Sequence, residues 1–271
     1  MLAGCNQLLG LPATGLQQVD ARVDGPGCSG AAFANAQMIQ TIPLTGPYEP
    51  AVSADPRALW FVHEAGPSDF DIYLATRPAD TGPYDTITAF SDNAPIYADH
   101  EPTLPADGLS MIFTSDRLGN YQAFEAVRAS LAEPFGSATV VAPLLPTNAV
   151  IGGVVTTFDG LRLYYADAAG DIRMIERASR GETFGTEGEV LMTNAYFPAV
   201  SPDELELFFE RKDAMNNSSV LRSTRTSTSA PFPAQADVII NGAGDPDVSP
   251  DSTRLYLALA GSLTVMSRAC P

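Results

Sequence analysis

The chain alternates short apolar runs with clusters of turn residues, and no segment sustains a helical period. Leu59-Trp60-Phe61-Val62, Met111-Ile112-Phe113, Leu163-Tyr164-Tyr165, Leu207-Phe208-Phe209 and Leu255-Tyr256-Leu257 are each preceded by a turn containing Pro, Gly or Asp. Short aromatic and aliphatic runs punctuated this way are strand-and-turn chemistry. The units that carry them begin at Pro50, Pro102, Gly153, Pro198 and Pro246, spaced 52, 51, 45 and 48 residues apart. That period suits a four-stranded propeller blade.

Each unit continues alike. A second apolar run leads to an arginine, at Arg77, Arg128, Arg177, Arg225 and Arg268, and in the four internal repeats an aromatic follows seven residues later, at Tyr84, Phe135, Phe184 and Phe232. A further β-prone run then precedes Asn93, Asn148, Asn194 or Asn241. The fifth repeat stops at Arg268-Ala269-Cys270-Pro271, and its missing pieces lie at the other end of the chain: Phe33 supplies the aromatic and Gln37 to Ile42 the strand. The expectation is an all-β, five-bladed propeller of four-stranded blades, the last closed by the N-terminal strand, which removes exposed sheet edges. Asp55, Asp107, Asp159, Asp203 and Asp251 sit where a carboxylate accepts backbone hydrogen bonds in the turn between two strands, a structural role. The repeated arginines follow the third strand at an outer position, where they are expected to form inter-blade or blade-edge ion pairs.

Asp107-Gly108 through Arg117, and Ser201-Pro202-Asp203 through Phe209, resemble the PD40 (WD40-like, TolB-type) repeat, a Ser-Pro-Asp-Gly turn followed by Leu-x-Phe and often Ser-Asp-Arg. The likeness covers roughly 240 residues, is uneven at Gly153 and Thr156-Thr157, and implies the same propeller fold.

At 271 residues, 45% hydrophobic and 17% charged, the chain can bury roughly 70 to 75% of its unfolded surface without metals or a dense disulfide set. Thirty-two acidic residues against 15 basic ones give a net charge of −17, which repels phosphate backbones and excludes nucleic acid as a partner. Leu2-Ala3-Gly4-Cys5 resembles the lipobox of bacterial lipoproteins, which implies lipidation of Cys5, a reading frame that starts further upstream, and Asn6 as a residue compatible with the outer membrane. Residues 1–27 then form a lipobox-like start and flexible tether, and 28–271 a single propeller domain, with the lipid as the only membrane contact. Cys28 and Cys270 stand near opposite ends of the folded body and are expected to pair in an oxidising compartment, worth about 5 kcal/mol in the chain-entropy model; the alternative is two unrelated thiols.

Candidate chemistry is sparse. The two histidines, His63 and His100, have no Cys or His at metal-ligand spacing and are read as ordinary strand-end or loop residues. No Gly-x-Ser-x-Gly elbow occurs, and Gly25-Pro26-Gly27-Cys28-Ser29-Gly30 lacks the flanking strand and helix of a nucleotide site. Glu49, Glu101 and Asp245 directly precede three of the five unit starts, so they could project toward one channel mouth, either as a carboxylate set for glycoside hydrolysis or as a weak Ca²⁺ site. The blander reading makes them solvated turn residues. Asp69-Phe70-Asp71 and Asp245-Pro246-Asp247 are weak metal hints. The leading expectation is a non-catalytic, monomeric, cofactor-free envelope lipoprotein, outer-membrane or periplasmic, serving as a platform for an envelope protein or small ligand. Its rival is a glycan-active hydrolase or lyase using Glu49, Glu101 and Asp245.

Overall fold

The computed structural model describes residues 28, 31–39, 46–66, 69–94, 96–141, 152–185 and 188–269. Cys5, the tether, Asn148 and Cys270 lie outside these residues. The regular elements are twenty strands in five four-stranded antiparallel sheets. The first blade contains β2 (Tyr48–Val52), β3 (Ala58–Gly66), β4 (Asp69–Thr76) and β5 (Thr86–Ala89); the second β6 (Asp99–Thr103), β7 (Ser110–Ser115), β8 (Gln122–Val127) and β9 (Thr139–Val140). The third contains β10 (Val154–Thr156), β11 (Arg162–Ala166), β12 (Asp171–Glu176) and β13 (Glu189–Thr193); the fourth β14 (Tyr196–Val200), β15 (Glu206–Lys212), β16 (Ser218–Thr224) and β17 (Asp237–Asn241). The fifth is built from β18 (Ala243–Val248), β19 (Arg254–Leu259) and β20 (Ser262–Ser267), and is completed by β1 (Ala34–Met38).

Closure runs through Ala34 opposite Ser267, Gln37 opposite Val265 and Met38 opposite Thr264, and the Ile39 N–H donates to the Leu263 carbonyl at 2.8 Å. The closing strand starts three residues before the expected Gln37, because every side chain of β1 is exposed and only its backbone is needed to complete the ladder. Residues 40–45 lie outside the described set. Cys28 is buried and disulfide-bonded; its expected partner is Cys270.

The second strand of each blade is an unbroken apolar run because both its faces are covered by neighbouring blades. Side chains alternate with period two. Trp60 and Val62 pack toward blade two with Met111 and Phe113, whereas Leu59 and Phe61 pack toward blade five with Tyr256. The same division sends Leu163 and Tyr165 one way and Tyr164 the other, and Leu207 and Phe209 one way and Phe208 the other. Five inter-blade cores result, and Phe61, Phe113, Phe208 and Phe209 are fully buried in them.

The spacing of seven between arginine and aromatic has a direct cause. Arg77, Arg128, Arg177 and Arg225 each lie 4.3 to 4.6 Å over the ring of Tyr84, Phe135, Phe184 or Phe232, and Arg268 lies 4.3 Å over Phe33 from the opposite terminus. Each guanidinium Nε also donates to a carbonyl of the preceding turn, on Pro56, Gly108, Gly160, Glu204 and Ser252 in order. Inter-blade ion pairs occur at Arg177 with Glu125 and at Arg268 with Glu206. The turn aspartates accept the backbone N–H two residues on: Asp55 from Arg57, Asp107 from Leu109, Asp159 from Leu161, Asp203 from Leu205 and Asp251 from Thr253.

Candidate functional site

Each innermost strand has a left-handed residue at or near its start. Glu49 (φ 50°), Glu101 (φ 55°), Gly153 (φ 99°), Phe197 (φ 49°) and Asp245 (φ 51°) occupy equivalent positions, each directly before its repeat's Pro or, in the third, Val154. In four blades the ladder with the next strand shifts register across this point. A bulge of this kind re-aims a side chain, and a left-handed φ at a non-glycine residue costs of order 1 to 3 kcal/mol, a strain that concentrates at functional sites. Its effect here is to bring Glu49, Glu101, Phe197 and Asp245 to one axial cavity of about 30 Å³. Glycine is required at 153, where a Cβ would stand 2.6 Å from the Phe197 Cα.

The carboxylates link the blades in sequence. Asp245 accepts the backbone N–H of Glu49, Glu49 Oε2 accepts that of Glu101 at 2.8 Å, and Glu101 Oε1 accepts that of Gly153 at 3.0 Å. At the next step the Gly152 carbonyl takes the N–H of Phe197 instead. One layer deeper, Asp247 Oδ2 accepts from Val52 N–H at 2.7 Å and Thr103 Oγ1 from Thr156 N–H at 3.1 Å. Glu49 also meets His100 Nδ1 at 3.1 and 3.2 Å, and Glu101 Oε2 accepts the Thr114 hydroxyl at 2.5 Å. Glu210 closes the fifth position: its carboxylate fills the space that a Cβ on Gly244 would occupy and accepts the Ser218 hydroxyl at 2.6 Å.

The electrostatics follow from crowding acids in a confined space. Burial, reinforced by the Glu49 charge and only partly offset by His100, pushes Glu101 up to about 7. Burial, with Glu49 and Glu210 adding to it, raises Asp245 well above the carboxylate range. Asp247 rises to about 7 because burial outweighs the N–H bonds from Val52 and Val248. Burial alone would lower His100, yet Glu49 outweighs it and lifts the imidazole to about 9. Near neutral pH the site therefore pairs a cationic His100 with Glu49 and holds a partly protonated Glu101, with Asp245 shifted toward its protonated form.

Two expectations are corrected. Glu49, Glu101 and Asp245 are not solvated turn residues: Glu49 is 8% exposed and the other two are half-buried on the axis, because the bulge turns them inward. His100 is not an ordinary strand-end residue but the counter-ion of Glu49, one blade away. That pairing had a signal, since Glu49 and Glu101 hold the same register and His100 adjoins the second. Asp247 gave a weaker signal, as a metal hint, and nothing in the sequence singled out Phe197. Among the described residues no group of three or more His, Cys, Asp or Glu is arranged for a metal ion, Asp69 and Asp71 included. His63 lies within β3, its Nδ1 buried without a partner.

Fold and site together define a five-bladed β-propeller with carboxylates converging on its axis. The chain is similar in structure to TolB from Acinetobacter baumannii (15% identity, TM-score 0.50, covering 83% of this chain) and spans 55% of the length of that protein. It is also similar to the catalytic domain of the Coprinopsis cinerea GH62 α-L-arabinofuranosidase (11% identity, TM-score 0.60, 89% of this chain and 98% of that one). A thermostable family-43 glycoside hydrolase matches with 14% identity and TM-score 0.57, over 84% of this chain and 92% of that one. No family model and no curated protein matches. At these identities the likeness establishes the fold. It also corrects the expectation of a non-catalytic binding platform, which rested on finding no reaction centre: propellers matched over nearly their whole length include glycoside hydrolases, and the carboxylates held as the alternative do converge.

Proposed function

We propose that the chain is a glycan-active hydrolase working at the axial carboxylates. The observation that carries this reading is the convergence of Glu49, Glu101 and Asp245 from three blades on one cavity, where burial and mutual charge raise Glu101 and Asp245. Paired carboxyls held in different protonation states are what acid and base roles at a glycosidic bond require. Glu101, half-protonated at neutral pH, donates its proton to the leaving oxygen. Glu49, whose carboxylate meets His100 Nδ1 and accepts the Glu101 N–H, takes a proton from water. Asp245, raised by burial beside Glu49 and Glu210, is shifted toward a neutral carboxyl that adds less charge. A cavity of about 30 Å³ has room for one or two waters and none for a sugar ring, so the glycan lies across the mouth, and attack by a water that Glu49 deprotonates, with no covalent intermediate, gives inversion at the anomeric carbon. Neighbouring folds act on arabinofuranosides, and neutral arabinose- and glucose-based glycans are the first substrates to offer.

The test is hydrolysis of a panel of aryl glycosides and oligosaccharides, with the product anomer read by NMR. Inverted product, abolished by Glu101→Gln, supports the assignment; retained configuration removes the base role of Glu49, and no turnover by the wild-type chain overturns the reading.

A second reading is favoured by the inter-blade bonds themselves, in which each carboxylate ties its blade to the next. On that reading Glu101→Gln lowers the melting temperature and alters no activity. We also propose, as parts of the same picture, a PD40-type repeat origin, one propeller domain over 28–271, a Cys28–Cys270 disulfide, lipid on Cys5 and an extracytoplasmic, monomeric protein.

A further inference from the structure

The mouth of the axial cavity is built unevenly. On the side of the first two blades, four rings are in mutual contact: Tyr121 to His100 at 5.8 Å between centroids, His100 to Phe70 at 4.7 Å, Phe70 to Tyr48 at 5.9 Å, and Tyr48 back to His100 at 6.1 Å. They come from three strands, β2, β4 and β6, and from the turn before β8. The corresponding position before the axial residue is Tyr48 in blade one, His100 in blade two and Tyr196 in blade four, with Gly152 and Gly244 in blades three and five. Tyr196 covers Gly152 and the Glu210 carboxylate covers Gly244, so the wall of clustered rings is a feature of blades one and two.

The wall descends from solvent to the carboxylates. Tyr121 at its rim is 39% exposed, the His100 side chain is 14% exposed, and Glu49, bonded to that imidazole, is buried. Beside Tyr121 the rim also exposes Tyr97 and Leu118, on turns tied together by the Ala98 N–H to Asp116 at 2.9 Å. Exposed apolar surface contiguous with a polar cavity marks a ligand groove. From this geometry we infer that the Tyr121 to Tyr48 wall is a stacking subsite for a neutral sugar ring, placing its apolar C–H face on the aromatic side and its glycosidic bond over Glu49 and Glu101. The charge nearby decides the class of ligand. Among the described residues Glu49, Glu101, Asp245 and Glu210 crowd the axis against the His100 cation and Lys212, 3.9 Å from Glu210, so a uronate or sulfated glycan meets net negative potential. Tyr121 supplies a broad face at small entropic cost.

This inference rests on the hydrolase reading for the direction of the chain, and the experiment separates the two. Cellotriose and arabinotriose are titrated calorimetrically into the full chain carrying Glu101→Gln, with and without Tyr121→Ala, and with Tyr121→Phe. Stacking predicts that Tyr121→Ala weakens binding about threefold to tenfold while Tyr121→Phe retains it, and that in the hydrolytic background the loss enters through KM. Binding that depends on Tyr121 in a chain without turnover leaves the subsite standing and sinks the hydrolase. Binding indifferent to Tyr121→Ala, absent for both trisaccharides, or tighter for a trigalacturonate than for either, overturns the subsite.

Discussion

Replacing Arg268 with Met probes the energy of ring closure. The Arg268 side chain is 0% exposed and that of Glu206 1%, and the guanidinium donates to Glu206 Oε1 at 2.9 Å and Oε2 at 2.6 Å. Its Nε donates to the Ser252 carbonyl at 2.6 Å, and its face covers Phe33, which the N-terminal segment brings in. Arg268→Met strips a buried carboxylate of two charge-assisted bonds and leaves it beside Arg222 at 3.4 Å. Breaking a buried pair from one side costs about 3 to 5 kcal/mol, and the lost ring contact adds about 1 kcal/mol. In a domain of this size each kcal/mol moves Tm by about 2 to 4 °C, so a fall of about 10 to 20 °C is expected. Arg77 is the internal control. It covers Tyr84 and bonds to the Pro56 and Gly82 carbonyls, but makes no ion pair among the described residues, so Arg77→Met should cost about 1 kcal/mol and about 2 to 4 °C. The double variant Arg268→Met with Glu206→Gln should recover at least half of the loss, because the stranded charge is gone. Thermal unfolding followed by circular dichroism and calorimetry reads all three. Equal losses at 268 and 77, or no recovery in the double variant, would refute the reasoning.

Further outcomes follow from the axis. Glu101→Gln should cut hydrolysis by at least about 100-fold, and wild-type activity should fall as pH rises through about 7, where the acid loses its proton. Stability should move the same way. Acids raised in the fold bind protons more tightly than in the unfolded chain, so their favourable contribution is complete below about 4 and is lost as pH climbs to about 7. Asp247→Asn should therefore flatten the decline of Tm between pH 4 and 7. His100, raised from 6.5 to about 9, contributes stability present below 6.5 and lost as pH passes 9, a second decline that His100→Asn removes. Gly153→Ala should destabilise by about 3 kcal/mol or more, since both its φ and the Phe197 Cα oppose a side chain; a Tm within 3 °C of wild type would contradict this.

The repeat, the blade count and the circular closure were legible because each rests on local chemistry recurring at a fixed period. Arg268 and Phe33 could be matched across the chain since four internal copies showed what was missing. The axial carboxylates and their projection toward a channel mouth were legible as candidates through their register with Pro50, Pro102 and Pro246, but the bulge that turns them was not: the left-handed backbone falls on Glu, Phe and Asp rather than glycine, so no residue type announces it. The His100 to Glu49 pair was hidden for a related reason. It joins residues 51 apart that meet only when adjacent blades lie side by side, whereas histidine beside acid in sequence is commonplace. Of the repeated arginines expected to form inter-blade or blade-edge ion pairs, two form inter-blade ones among the described residues, and the constant partner is the aromatic ring.

The bond from Arg268 to the Ala31 carbonyl spans 237 positions along the chain. A ring locked by segments this far apart has very high contact order, and no nascent fragment can complete the last sheet before residue 268 is made. Until then the fifth sheet stays open at its edge. That delay is a liability toward aggregation.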